Sequence, residues 1–128
     1  RRLRSPLKLL LDTHAVLWWL GDDPRFGQGA DRWMKDASST ALLSAAVVWE
    51  VALKRSLGKL GAPTDLVAVM LSAGAQALPV TIEHAEAVGA LPWHHRDPFD
   101  RILVAQAMVE GAALVTDDGA LARYGVPV

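Results

Sequence analysis

Two short apolar runs, each stopped by aspartate, constrain this chain more than any other feature. Leu7 to Leu11 is apolar apart from Lys8, and Asp12 ends it. Ala112 to Thr116 is the second run, and Asp117-Asp118 follow it. Both are too short for helices, and neither alternates polar with apolar residues. That is the pattern of strands buried on both faces, the usual state in a parallel sheet.

Helical spacing fills most of the chain between them. It runs from Thr13 to about Leu20, where Gly21-Asp22-Asp23-Pro24 breaks it, and a second helix is expected around Ala30 to Ala37. Ala41 to Leu43 reads as a strand, and Ser44 to about Leu57 as a helix closed by Gly58. Pro63 fits the first turn of a helix reaching about Ala73, with Thr64 or Asp65 near its start. Leu78-Pro79-Val80 reads as a short strand, and Thr81 is placed to cap a helix from Ile82 to Val88. A long helix covers Asp97 to Glu110 with Gly111 at its end, and a last helical turn covers about Gly119 to Arg123. Short apolar strands alternating with helices predict an α/β fold with a parallel sheet covered on both faces.

A chain of 128 residues fits one domain, and 52% apolar with 21% charged residues is the balance of a globular protein. There is no cysteine, so disulfides, thiolate metal sites and a cysteine nucleophile are excluded. With 13 basic and 14 acidic residues the formal charge is −1, and no overall basic field advertises nucleic acid. No apolar run approaches the roughly 18 residues of a membrane span. A cytoplasmic protein without a membrane segment is the expectation, with Arg1 to Pro6 an extension before the first strand.

The acids fall in informative places. Asp12 and the Asp117-Asp118 pair sit at the ends of strands, and in parallel sheets ligands bind beyond the strands' carboxyl ends. Helix capping is the alternative for either taken alone. Glu50 lies among Val47, Val48, Trp49, Val51, Ala52 and Leu53, so its helix is expected to be buried nearly all round. A carboxylate there needs a cation or hydrogen-bond donors. Lys54, four residues on, offers an internal ion pair as the plainer explanation. Asp97, Pro98 and Asp100 read as N-cap, first and third helical positions, leaving Asp100 to face a crevice. Arg101 is either a counter-charge or a phosphate contact. If Asp12, Glu50, Asp100 and Asp118 converge, their repulsion calls for cations between them. Oxygen-only ligation favours Mg²⁺ or Mn²⁺ over Zn²⁺, and such ions serve phosphodiester hydrolysis.

Several segments in one order carry a family resemblance. They are Leu10-Leu11-Asp12-Thr13-His14-Ala15, the Ser44 to Lys54 segment with Trp49-Glu50, Gly58-Lys59-Leu60, and His95-Arg96-Asp97-Pro98-Phe99-Asp100-Arg101. Leu78-Pro79-Val80, Glu83-His84-Ala85 and Val115-Thr116-Asp117-Asp118 complete the pattern. The chain from about Leu9 to Tyr124 resembles the PIN-domain ribonucleases, specifically the VapC-like toxins of prokaryotic type II toxin–antitoxin pairs. The resemblance implies a three-layer α/β/α domain with a mainly parallel central sheet. It also implies Mg²⁺- or Mn²⁺-dependent RNA cleavage, a homodimer, and inhibition by a small cognate antitoxin. By position it assigns the catalytic and metal-binding acids to Asp12, Glu50, Asp100 and Asp118. Thr13 and Thr116 then hold carboxylates or water, with Asp97 and Asp117 beside the site. Lys54, His95, Arg96 and Arg101 fall on the substrate side, with Lys59 in the same basic patch.

Other features argue mainly for structure. Adjacent His94 and His95 point different ways, no helical His-x-x-x-His pair exists, and structural or substrate-side roles suit all four histidines better than ligation. The five tryptophans are expected in core or dimer packing rather than base stacking. Three rival readings stand beside the toxin. A phosphoacceptor or phosphatase would use Asp12 as nucleophile, but lacks a second acid beside it. A non-catalytic module would use its acids only as caps. A housekeeping PIN nuclease would have no antitoxin.

Overall fold

A computed structural model describes residues 8–21, 39–93 and 96–116. The expected helix at Ala30 to Ala37, the turn at Gly119 to Arg123, and His94, His95, Asp117 and Asp118 lie outside these residues.

Four strands form one sheet: β1 (Lys8–Leu11), β2 (Thr40–Ser44), β3 (Gln76–Leu78) and β4 (Ala113–Val115). Their order is β3-β2-β1-β4, and every neighbouring pair is parallel. Leu10 stands level with Leu42 on one side and Leu114 on the other. Parallel neighbours need crossovers, and the helices supply them. They are α1 (Thr13–Leu20), α2 (Ala45–Ser56), α3 (Leu66–Ser72), α4 (Ile82–Gly89) and α5 (Pro98–Glu110). Sheet and flanking helices make the three-layer α/β/α arrangement. Among the described residues no helix is long and apolar enough to cross a membrane.

The core confirms the reason for the unbroken apolar runs. Leu9, Leu10, Leu11 and Leu114 are fully buried, because side chains on both faces of these strands meet helices. Val16, Val47, Met70, Leu103 and Val104 close over them. Each helix end near the sheet's carboxyl edge has a local cause. Asp12 caps α1, Ser44 caps α2 through the Ala46 N–H, and Asp97 caps α5 with Pro98 in the first turn. Gly111 ends α5 in the left-handed region, at φ 65°, and its N–H returns to the Ala107 carbonyl.

Three local expectations are corrected. α3 begins at Leu66 rather than Pro63, whose carbonyl instead accepts the Arg55 guanidinium at 2.6 Å. β3 is Gln76–Leu78 and stops before Pro79, which has no N–H to extend the ladder. α2 is not buried all round: Ala46, Val47, Glu50 and Val51 face inward, while Trp49 is 63% exposed and Leu53 and Leu57 also meet solvent.

Candidate active site

Asp12 is the first residue past β1, and its placement follows from the strand. Its N–H continues the ladder to the Val115 carbonyl at 3.1 Å, and its side-chain oxygen then accepts the Ala15 N–H at 2.8 Å. The residue is buried at the point where the sheet gives way to α1. Capping and facing the crevice are therefore combined in one carboxylate.

Glu50 arrives from the inward face of α2, two turns in from the end of β2. Both of its oxygens are engaged. Thr13 Oγ1 donates to Oε1 at 2.5 Å, and Lys54 Nζ donates to Oε2 at 2.5 Å. The ion pair that the spacing of four offered as the plainer explanation is present, and the Thr13 hydroxyl donates to the other oxygen of the same carboxylate. The hydrogen bond to Glu50 raises the Lys54 pKa above its usual 10.5. Burial opposes this, and the charges of Glu50, Asp97 and Asp100 reinforce it.

Asp97 and Asp100 come from the start of α5. Asp97 Oδ1 accepts the Phe99 and Asp100 N–H groups at 2.8 and 3.3 Å, the capping role expected of it. It is nevertheless half-buried against the same cavity as Asp100, so one acid does not face the crevice alone. Asp12, Thr13, His14, Glu50, Lys54, Asp97 and Asp100 together line a cavity of about 340 Å³. Among the described residues, no three His, Asp or Glu side chains are already grouped as ligands of one ion. The fit to a hard divalent cation is one of donor chemistry: several carboxylate oxygens on one cavity, with no cysteine in the chain. Thr116 follows β4 directly and is half-buried.

The substrate-side reading of Arg101 is corrected. Its side chain is only 4% exposed, and the guanidinium donates to the carbonyls of Pro92, Val88 and Leu91 at 2.9, 3.1 and 3.4 Å. Trp93 lies against it, 3.9 Å from guanidinium carbon to ring centroid. A planar fork of donors gathering the carbonyls at the end of α4 is a structural clamp. Arg96 is exposed and lines a different, largely apolar groove of about 700 Å³ with Trp49, Val88, Trp93 and Ile102. Lys59 is exposed beyond the end of α2 and is not among the residues of the acidic cavity.

The described tryptophans divide between core and surface: Trp19 packs against the core and Trp18 is half-buried, and Trp33 lies outside the described residues. Trp49 and Trp93 are largely exposed, Trp49 meeting Phe99 edge-on at 4.8 Å between centroids, and Trp18 stacks on His14 at 5.5 Å. A polar cluster that sequence reasoning did not assemble lies in the core. It joins Ser44, Gln106 and His84, all fully buried. The Thr81-to-His84 interval was its legible trace, since the Thr81 N–H donates to His84 Nδ1 and closes a capping box.

Comparison with known proteins agrees with this architecture. The family model for the PIN domain matches residues 9–127. The chain belongs to the PIN-domain family. Ribonuclease VapC22 of Mycobacterium tuberculosis (strain ATCC 25618 / H37Rv) is 29% identical over 123 residues, 93% of each chain. Among solved structures, VapBC2 from Rickettsia felis bound to a DNA fragment from their promoter matches with a TM-score of 0.71. That match covers 95% of this chain and 96% of the other at 16% identity, a likeness of fold. In this PIN domain the acidic cavity lies at the carboxyl ends of β1 and β2, the edge where parallel sheets bind ligands.

Proposed function

We propose that this chain is a metal-dependent ribonuclease and the toxin of a toxin–antitoxin pair. The observation that carries the reading is the single cavity lined by Asp12, Glu50, Asp97 and Asp100 in a PIN domain similar to a VapC ribonuclease. Asp12, Glu50 and Asp100 would hold Mg²⁺ or Mn²⁺, joined by Asp118 on the family's pattern. The ion, when bound, supplies an activated water and neutralises charge developing on the phosphate.

The chain's own residues perform the remaining tasks. Thr13 fixes one oxygen of Glu50 and so orients the carboxylate plane. The Ala15 N–H fixes one oxygen of Asp12. The capping bonds of Asp97 hold the first turn of α5, from which Asp100 projects. Lys54 offsets part of the negative charge that would otherwise repel a phosphodiester. Exposed Arg96, on the neighbouring groove, and His95 are the proposed RNA contacts. With a net charge of −1, binding depends on local cations and weakens with added salt.

The partners proposed are single-stranded RNA, a small antitoxin, and a second copy of the chain. Exposed Trp49, Leu53, Leu57 and Trp93, with the apolar groove beside them, supply surface that a protein partner would cover. A cytoplasmic location, where a ribonuclease meets cellular RNA, belongs to the same proposal. Incubating purified protein with single-stranded RNA in Mn²⁺, in Mg²⁺ and in EDTA tests the activity. Cleavage with either ion and none in EDTA is expected. Light scattering at micromolar concentration tests the dimer, and a monomeric mass contradicts it. A small open reading frame directly upstream of the gene is expected on this reading, and co-expression with its product tests the antitoxin. Failure to co-purify or to suppress cleavage favours a housekeeping nuclease.

A further inference from the structure

Glu50 is gripped from two sides, and the two grips differ in kind. The Thr13 hydroxyl on Oε1 is neutral, whereas the Lys54 ammonium on Oε2 brings a full charge into the cavity wall. We propose that Lys54 is a positioning residue that acts as the fixed cation of the acidic site, so that the cavity takes one divalent ion and not a pair. The inference rests on the metal-dependent reading above and deepens it.

Position comes first. Lys54 follows Glu50 by four residues on α2, so one helix carries both partners and backbone geometry sets their separation. The lysine pairs along its own helix without reaching across a flexible loop. Among the described residues lining the cavity, it is the only lysine or arginine, facing Asp12, Glu50, Asp97 and Asp100.

The charge beside Glu50 then decides the count. Ion pairs that serve phosphodiester hydrolysis stand roughly 4 Å apart and share carboxylates between them. Glu50 is the one acid α2 brings to this cavity, and its Oε2 already faces an ammonium. A second divalent ion bridging through that oxygen would meet the ammonium at close range, like charge against like. One divalent ion plus Lys54 gives the site three positive charges in about 340 Å³. The ammonium also faces these acids before any ion binds.

The test counts ions rather than turnover. Mn²⁺ is titrated into the full chain by isothermal calorimetry, with free Mn²⁺ followed by electron paramagnetic resonance. Wild type, Lys54→Met, Lys54→Gln and Lys54→Arg are compared. The proposal expects one ion per chain in wild type and Lys54→Arg, and two in Lys54→Met and Lys54→Gln. The Lys54 side chain is 41% exposed, so neutral replacements are tolerated sterically, and circular dichroism checks each fold. If Lys54→Met does not fold, Lys54→Gln decides. Two ions in wild type, or one ion in the neutral variants, overturns the role of Lys54 and leaves the metal reading standing. No Mn²⁺ bound by wild type at millimolar concentration overturns both.

Discussion

The hydroxyl of Ser44 donates a 2.6 Å hydrogen bond to the side-chain oxygen of Gln106, across 62 residues of sequence. Ser44 also accepts the Ala46 N–H at 3.0 Å, so the bond reaches the first turn of the helix that carries Glu50. On the other side, Gln106 Nε2 donates to the Pro79 carbonyl at 3.3 Å, and its neighbour His84 lies 2.9 Å from Glu110. Because His84 Nδ1 accepts the Thr81 N–H, the ring proton sits on Nε2 and points to Glu110. The end of β2, the start of α4 and the middle of α5 are thereby tied through the core.

Replacing Gln106 by Leu keeps the volume but leaves the Ser44 hydroxyl and the Pro79 carbonyl without this partner. Orphaned buried polar groups cost about 1–3 kcal/mol each, so the expected loss of stability is of that order. Urea denaturation measures it. An unchanged midpoint would show that the cluster contributes nothing to folding.

Asp97 and Asp100 share a helix start but differ in their bonds. Asp97→Ala removes the acceptor for two backbone N–H groups and is expected to cost about 0.5–2 kcal/mol. Asp100→Asn removes a charge from the cavity without removing the cap, so stability holds or rises as carboxylate repulsion falls. Cleavage should drop by orders of magnitude in Asp100→Asn and by much less in Asp97→Ala. Thermal melting and RNA cleavage on both variants check the assignment, and the reverse ranking in cleavage contradicts it.

Arg101→Met is expected to act on folding. The guanidinium is buried and donates to three backbone carbonyls that no methionine can satisfy. A loss of at least about 2 kcal/mol is expected, with Arg101→Lys recovering only part because a point ammonium lacks the fork. Melting temperatures of the three proteins test this. If Arg101→Met melts like wild type and loses only RNA affinity, the phosphate-contact reading returns.

The sheet was legible because strands buried on both faces write themselves as unbroken apolar runs, as Leu9-Leu10-Leu11 does. The caps were legible because Thr81 and the Asp97-Pro98 pair are local signals whose partners lie within a few residues. Asp12, Glu50 and Asp100 converging on one cavity could not be read from spacing, which says nothing of distances between separate elements; the family resemblance supplied that expectation. Arg101 was misjudged for the same reason. A cation next to an acid in sequence looks electrostatic, yet its burial depends on the carbonyls that α4 ends on. The exposure of Trp49 was hidden by composition. An apolar helix face can await a partner as readily as it fills a core, and only the packing of α2 distinguishes them.

Cleavage of single-stranded RNA by wild type and Glu50→Gln, each with Mn²⁺ and with EDTA, tests the central claim most directly. Glu50→Gln preserves shape and can still meet the Thr13 hydroxyl, but it withdraws the carboxylate that anchors Lys54 and faces the cavity. The expected result is cleavage by wild type with Mn²⁺, none in EDTA, and loss by orders of magnitude in a folded Glu50→Gln. Full cleavage in EDTA, or an undiminished rate in the variant, would contradict a nuclease built on this acidic cavity.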